Sequence, residues 1–157
     1  RSSRQPRAAS REARELRPPI EEGRSTFAND YLITNKVLGA GLSGKVKLAV
    51  SRQNGGMFAL KAYKLQKLSQ QQEKDLAHEI QTQSCLEHQN IARLEAVYET
   101  SDEVFLVVEH LDGGEVFNHL IKELTLGEAD VKSVIQQMLT AVRHMHSQGL
   151  VHRDIKP

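Results

Sequence analysis

The chain has 157 residues, of which 39% are hydrophobic and 26% are charged, and its net charge is +1. This composition is typical of one globular domain, and the small net charge argues against nucleic acid as the main partner. No segment has the ~18 consecutive apolar residues that a membrane-spanning helix requires. The single cysteine, Cys85, excludes an internal disulfide and fits a reducing compartment, so we expect a cytoplasmic location.

The first 26 residues differ in composition from the rest of the chain. Seven arginines and four glutamates give this segment a net charge of +3, which leaves −2 for the remaining residues. The chain begins with Arg1 rather than Met and ends at Pro157 inside a motif, so we expect both ends to be cuts within a longer protein.

The arginines of this segment suggest three interpretations. The first six recur every three or four residues, a spacing that would place them on one helical face. Such a face would suit a membrane surface or an acidic partner, or belong to a transit peptide. However, Pro18-Pro19 would end a helix, and few apolar residues could form an opposite face. We therefore favour a disordered basic arm over residues 1–26.

Three strands are predicted after this arm, over residues 31–38, 45–50 and 57–63. The second alternates polar and apolar side chains, as a half-buried strand does. Asn54-Gly55-Gly56 separates the second strand from the third, and this sequence is a strong hairpin signal.

A helix and two further strands are predicted next. Ser69 and Gln72 have the spacing of a capping box, so the helix should begin at Ser69 and continue to about Leu86. The two strands are predicted over residues 93–99 and 104–109.

The rest of the chain is predicted to be helical, beginning with a short helix over residues 115–122. The clearest helix follows, because its apolar residues recur at spacings of three and four: Val131, Val134, Ile135, Met138, Leu139, Val142 and Met145. Gly149 is its expected end. This order indicates an α+β fold, with a five-stranded antiparallel sheet and one helix, followed by the first helices of a helical lobe.

Residues 39–46, Gly-Ala-Gly-Leu-Ser-Gly-Lys-Val, match the pattern G-x-G-x-x-G-x-V. Dinucleotide-binding proteins share this glycine spacing, but there the glycine turn opens a helix. Here a predicted strand follows, which argues against a Rossmann oxidoreductase and places the glycines at a hairpin tip. Glycines at such a tip let backbone amides approach a phosphate closely, although an ordinary glycine-rich hairpin has the same pattern.

Lys61 lies in the middle of an apolar predicted strand, where its charge is unfavourable unless an acidic group pairs with it. An acidic residue on the following helix is the expected partner, and Glu79 lies where that residue should be. A glutamate on a helix commonly faces water, so this pairing depends on the motifs around it.

The last six residues, His152-Arg-Asp-Ile-Lys-Pro157, resemble H-R-D-L-K-P-x-N, the catalytic loop of protein kinases. Two earlier segments resemble the same family. Phe58-Ala-Leu-Lys61 is similar to V-A-I-K on the third kinase strand, and residues 88–91, His-Gln-Asn-Ile, are similar to the H-x-N-I segment that closes the kinase helix. Together with residues 39–46, these motifs follow the order and intervals of a protein kinase domain.

This resemblance implies ATP and Mg²⁺ as cofactors, protein substrates, and a nucleotide held between two lobes. It implies that Asp154 accepts or orients the proton of the substrate hydroxyl, that Lys156 helps to hold the γ-phosphate, and that Lys61 pairs with Glu79. No metal ligand is assigned, because the metal-binding Asn and D-F-G Asp would lie after Pro157. The implied nucleotide contacts are Leu38, Gly39, Ala40, Gly41, Leu42, Ser43, Gly44, Val46, Ala59, Lys61, Glu109, Leu111 and Glu115.

By the same resemblance, residues 27–157 are a partial kinase domain that stops within the catalytic loop. Its N-lobe would cover residues 31–108, its hinge 109–112 and the start of its C-lobe 113–157. Val108 would occupy the gatekeeper position before the hinge.

Three residues narrow the class that the resemblance implies. Lys156 is usual in serine/threonine kinases, and Arg153 is typical of kinases that are switched by phosphorylation of an activation segment. Glu115 follows two glycines, as in calcium/calmodulin-dependent and cyclic-nucleotide-dependent kinases, where this Glu helps to bind ribose and a substrate Arg. Residues 94–117 look most like the calcium/calmodulin-dependent group, which implies substrates with an upstream Arg and calcium or calmodulin regulation through other segments.

The sequence also departs from the family pattern. Leu42-Ser43 stands where many kinases have Ser and an aromatic residue, so turnover or nucleotide affinity is expected to differ. Gln89 replaces a common Pro and His110 a frequent Tyr, at positions that do not contact phosphate in the family. The alternative to an active kinase is a pseudokinase or nucleotide-binding scaffold that regulates another enzyme. Without the D-F-G segment, we expect these 157 residues alone to be inactive.

Overall fold

The structure is a computed structural model that describes residues 26–41, 44–114, 116 and 127–155. Several predicted features lie outside the described residues: the basic arm up to residue 25, the loop residues Leu42 and Ser43, Glu115 with most of the helix predicted over 115–122, and Lys156. Among the described helices, none combines the length and the hydrophobicity needed to cross a bilayer.

The described elements follow one another in the predicted order. They are helix α1 (Phe27–Asp30), strands β1 (Tyr31–Gly41), β2 (Gly44–Ser51) and β3 (Met57–Lys64), a 3-10 turn (Leu65–Lys67), helix α2 (Gln70–Ser84), strands β4 (Leu94–Glu99) and β5 (Glu103–Glu109), and helix α3 (Glu128–Ser147). The strands form one sheet in the order β1-β2-β3-β5-β4, and each neighbouring pair is antiparallel. The predicted α+β fold class and its five-stranded antiparallel sheet are therefore confirmed.

The chain divides into two compact units. The first runs as far as Cys85 and resumes over Arg93–His110, and the second comprises Leu86–Ala92 and the chain from Leu111 onward. The sheet and α2 belong to the first unit, whereas α3 belongs to the second.

The first unit has a hydrophobic core on each face of its sheet. On one face, α2 packs against β3 and β5 through a buried cluster of Tyr63, Leu65, Leu76, Ile80, Val104 and Leu106. The second core contains Phe27, Ala49, Leu60 and Val107. Because successive side chains of a strand point to opposite faces, neighbours such as Leu106 and Val107 contribute to different cores.

Helix α1 supplies the ring that completes the second core, and the sequence patterns did not predict this helix. The ring of Phe27 stacks on Phe105 at a centroid distance of 4.6 Å and meets Tyr98 edge-on at 5.6 Å. The Tyr98 hydroxyl donates a 2.7 Å hydrogen bond to the Asp30 carboxylate. Burial raises the pKa of Tyr98, and the hydrogen bond and charge of Asp30 raise it further. These contacts attach the segment before β1 to the sheet.

The β2–β3 hairpin forms as predicted. The Oδ1 atom of Asn54 accepts a 2.9 Å hydrogen bond from the backbone N–H of Gly56, and Gly55 has a φ of 73°. A left-handed backbone is unfavourable for residues with a β-carbon, so glycine is the suitable residue at this turn.

Helix α2 has the predicted capping box. The Ser69 side chain accepts from the backbone N–H of Gln72, and the Gln72 side chain accepts a 2.9 Å hydrogen bond from the Ser69 N–H. The helix ends at Ser84 rather than near Leu86, and Leu86 belongs to the second unit.

Contacts between α3 and the Leu86–Ala92 segment hold the second unit together. The Asn90 amide donates to Oε1 of Gln137 at 3.0 Å and accepts from the Thr140 hydroxyl at 3.2 Å. The His88 ring stacks on His144 with centroids 5.1 Å apart. Part of the predicted apolar stripe of α3 is exposed, most strongly at Leu139, which is 59% exposed. The helix ends before Gly149, whose φ is 74°.

The capping box gives a prediction about stability. Replacing Ser69 by Ala removes the acceptor for the Gln72 N–H, so the free energy of unfolding should fall by about 1 kcal/mol. Chemical denaturation measures the change, and Ser69→Asn is the matched control because asparagine retains a capping oxygen. Equal destabilisation by the two substitutions would contradict a role for the cap.

Candidate active site

Lys61 lies in the middle of β3, between the two neighbouring strands of the sheet. It pairs with Val46 on β2 and with Leu106 on β5. Residues that are directly opposite each other in antiparallel strands share a face, so all three side chains project from the face that carries α2. Lys61 is therefore fixed by strand register beside the first hydrophobic core.

The partner of Lys61 is Glu79 on α2. The Nζ of Lys61 lies 3.0 Å from Oε1 of Glu79 and donates a hydrogen bond to it. Glu79 occupies this position because it precedes the buried Ile80 and follows the buried Leu76 by three residues, at the border of the packed side of the helix. The capping box fixes where the helix begins and therefore which residue faces the strand.

The electrostatics of this pair keep Lys61 charged. Burial lowers the pKa of Lys61, but the hydrogen bond and the negative charge of Glu79 raise it, the nearby Tyr63 hydroxyl raises it further, and the net effect is a pKa above its ordinary value. Both side chains remain about one third exposed, at 35% and 34%, so solvent screens their attraction. Their importance is thus the placement of a permanent cation rather than a large contribution to stability.

Tyr63 makes a second contact with Glu79. Its hydroxyl donates to Oε2 of Glu79 at 3.3 Å, so both carboxylate oxygens are bonded to residues of β3. Sequence analysis did not identify Tyr63 as a site residue. Its spacing could have indicated it, because a residue two positions after Lys61 on a strand lies on the same face of the sheet.

The glycine-rich segment forms the β1–β2 hairpin, as the sequence indicated. Gly41 pairs with Gly44 across the strands, and Leu42 and Ser43 between them lie outside the described residues. Gly44 has a φ of 108°, which residues with a β-carbon rarely adopt. A β-carbon added at Gly39 would meet no atom of the described residues within 4 Å, so packing against this part of the chain does not require glycine there.

The sheet face that carries Lys61 also has apolar side chains that are not fully buried. Ala59 lies opposite Leu48 on β2 and Val108 on β5, which places it two residues from Lys61 on the same face. Val46 and Val108 are only partly buried. Leu38 falls at the register irregularity between Val37 and Gly39 on β1. The structure thus places Val46, Ala59 and Lys61 side by side, while their roles in nucleotide binding remain predictions.

The predicted hinge begins at the end of β5. The Glu109 N–H donates to the Arg93 carbonyl at 2.9 Å, and the Glu109 carboxylate accepts from the Arg93 N–H at 3.2 Å. The side chain of Glu109 therefore fastens the end of β5 to the residue before β4. Leu111 belongs to the second unit and is 66% exposed.

The predicted catalytic loop also belongs to the second unit. Arg153 has a φ of 63°, a left-handed conformation that is uncommon for non-glycine residues and is concentrated at functional sites. The backbone N–H of Asp154 donates to Nδ1 of His152 at 3.2 Å, which fixes the turn before the predicted catalytic Asp. Asp154 itself is exposed. Within the part of the chain that the structure describes, no three His, Cys, Asp or Glu residues are arranged to hold a metal ion.

Comparison with known families identifies the chain. Residues 32–157 match the family described as "Protein kinase domain". This match includes most of the sequence and all of its motifs, so the chain belongs to the protein kinase domain family.

The relatives of this chain include serine/threonine kinases. Calcium/calmodulin-dependent protein kinase type 1 of Macrobrachium nipponense is 36% identical over 138 residues, which cover 87% of this chain and 40% of the relative. Serine/threonine-protein kinase cds1 of Schizosaccharomyces pombe is 33% identical over 150 residues, which cover 88% of this chain and 33% of the relative. The chain thus spans less than half the length of either protein.

A solved structure confirms the fold. The crystal structure of Rad53 1–466 in complex with AMP-PNP matches with a TM-score of 0.72 at 30% identity, covering 85% of this chain and 35% of that chain. The α+β fold of this chain is therefore protein-kinase-like.

The pairing of Lys61 with Glu79 gives a prediction that can be tested without measuring kinase activity. Replacing Glu79 by Gln removes the negative charge but leaves the burial, so the pKa of Lys61 should fall. NMR titration of the lysine side chains measures this change. Glu95→Gln is the control, because Glu95 pairs with Arg93 instead. A Lys61 pKa unchanged by Glu79→Gln would contradict the pairing.

Proposed function

We propose that the protein is a serine/threonine kinase that transfers the γ-phosphate of ATP to serine and threonine hydroxyls of protein substrates. The observation that supports this most directly is the Lys61–Glu79 pair, located on the same sheet face as Val46 and Ala59. A fixed cation, an open glycine backbone and an apolar patch are the groups that bind triphosphate and adenine. The solved relative that binds AMP-PNP supports ATP as the nucleotide.

In the proposed mechanism, Lys61 binds the phosphates of ATP and Glu79 holds the lysine in place. Because the pKa of Lys61 is raised, the side chain is fully cationic at neutral pH. The backbone amides of the Gly39–Gly44 hairpin would contact the phosphate oxygens, since glycine lets them approach closely. Val46 and Ala59 would pack on the adenine, and the backbone of Glu109 and Leu111 would bond to its edge.

In the second unit, Asp154 would orient the substrate hydroxyl and accept its proton as the oxygen attacks the γ-phosphorus. The bond between the γ-phosphorus and the β,γ-bridging oxygen breaks, and ADP leaves with that oxygen. Lys156 would balance charge on the transferred group. When bound, Mg²⁺ would neutralise phosphate charge, and in kinases its ligands are the catalytic-loop Asn and the D-F-G Asp.

The proposal also covers the type of residue that is phosphorylated, the regulation of the kinase and its location in the cell. Lys156 and the named relatives favour serine and threonine over tyrosine. Resemblance to calcium/calmodulin-dependent protein kinase type 1 suggests calcium or calmodulin control through other segments of the protein. Glu115 would bind an arginine that precedes the phosphorylated residue. A cytoplasmic location is proposed from the single cysteine.

The alternative function is that of a pseudokinase or nucleotide-binding scaffold that regulates another enzyme. Lys61, Glu79 and Asp154 all have the residue types that phosphotransfer requires, and this favours the enzyme. The two functions differ in whether phosphate is transferred, which the following experiment measures.

The test is phosphotransfer by the full-length protein to a Ser/Thr peptide, with and without calcium and calmodulin, compared with Asp154→Asn. We expect the substitution to reduce kcat at least about 100-fold, since general-base catalysis contributes about 10²–10⁴-fold. A peptide with an upstream Arg should be a better substrate than the same peptide with Ala there. The isolated 157-residue chain is expected to be inactive.

Each comparison in this experiment tests a different part of the proposal. Equal, negligible transfer by the wild type and Asp154→Asn in every condition would favour the pseudokinase. Equal use of the Arg and Ala peptides would remove only the role of Glu115. Sustained turnover by the 157-residue chain would show that the residues after 157 are not needed for transfer.

A further inference from the structure

Tyr63 combines a buried ring with a hydroxyl that reaches a charged residue. The side chain is only 6% exposed, and its ring belongs to the core with Leu76, Ile80 and Val104. A phenylalanine could fill the same space, so packing alone does not require the hydroxyl. Its 3.3 Å contact with Oε2 of Glu79 satisfies the polar end of the ring, as buried tyrosines usually need.

Glu79 borders an open cavity that offers it other positions. This cavity has a volume of about 540 Å³ and lies between β3 and α2, with Tyr63, Lys64, Lys67 and Glu79 among its lining residues. Glu79 is about one third exposed, so rotation about its side-chain bonds could move the carboxylate toward water. Water therefore competes with Lys61 for this carboxylate.

The two hydrogen bonds of Glu79 restrict this rotation. Lys61 holds Oε1 and Tyr63 holds Oε2, and both residues project from one rigid strand two positions apart. A carboxylate held at both oxygens keeps one rotamer, whereas a carboxylate held at one oxygen can swing about that contact. Loss of the Tyr63 contact would let the Lys61 ammonium lose its partner for part of the time.

We propose that Tyr63 is a positioning residue for phosphotransfer, whose hydroxyl fixes Glu79 in the orientation that pairs with Lys61. This inference rests on the proposed kinase function. Tyr63 touches no reacting atom and acts through Glu79. The hydrogen bond is longer than the about 2.7–2.8 Å of an optimal hydroxyl bond, so its effect on the rate is moderate.

The first test substitutes Tyr63→Phe in the full-length protein, which retains the ring and removes the hydroxyl. We expect kcat/KM for ATP to fall about 3- to 10-fold, as for one weak hydrogen bond to a charged group, with the KM for the peptide unchanged. Tyr98→Phe is the matched control: it also removes a hydroxyl bond to a carboxylate, that of Asp30, but in the second core. Its kcat/KM should equal that of the wild type.

A second readout separates this inference from the proposed function. The pKa of Lys61, followed by NMR, should fall in Tyr63→Phe and stay unchanged in Tyr98→Phe. In a Glu79→Gln background, Tyr63→Phe should produce a clearly smaller decrease, because no carboxylate remains to be positioned and only the direct effect of the Tyr63 hydroxyl on Lys61 is lost. This cycle can be measured even in a protein without kinase activity, so inactivity of the wild type would count against the proposed function alone.

Three results would overturn the inference. One is a Lys61 pKa that is the same in Tyr63→Phe and the wild type. Another is an equal decrease in the wild-type and Glu79→Gln backgrounds, which would mean that the hydroxyl acts independently of Glu79. The third is a Tyr63→Phe protein that does not fold, since the hydroxyl would then be needed for the core rather than for Glu79.

Discussion

The requirement that Lys61 be paired governs the arrangement of the first unit. A charged lysine on a strand that is flanked by strands on both sides is unfavourable without an opposite charge nearby. Glu79 provides that charge at 3.0 Å. To do so, α2 must pack across β3 and β5 with a fixed rotation about its axis. The capping box at Ser69 fixes where α2 begins, and the buried Leu76 and Ile80 fix its rotation.

The two faces of the sheet serve different purposes. One carries α2, Lys61 and the partly buried apolar side chains of β2, β3 and β5, so it contains the groups that would meet a nucleotide. The other is closed by α1, where Phe27 packs on Phe105 and Tyr98. Because a core lies on each face, the strand that positions Lys61 is supported from both sides, which favours a preorganised cation.

Local patterns predicted most of the fold. All five strands were predicted, with alternation evident in β2 and a turn signal between β2 and β3. The Ser69/Gln72 spacing located the α2 cap, and the apolar stripe located α3. Helix α1 was missed because four residues are too short to show a helical period, and Phe27 forms it through tertiary contacts. The partner of Lys61 was inferred from charge and motif spacing. Tyr63 was not, because a tyrosine in a strand has the same pattern whether its hydroxyl has a function or not.

The central claim is that Lys61 contacts the phosphates of ATP, and covalent labelling tests it most directly. An acyl-phosphate derivative of ATP transfers its acyl group to an amine held beside the phosphates, and mass spectrometry locates the modified lysine in the full-length protein. The account predicts that Lys61 is acylated and that excess ATP prevents its modification. Acylation of other lysines while Lys61 stays unmodified, or acylation of Lys61 that ATP does not reduce, would contradict it.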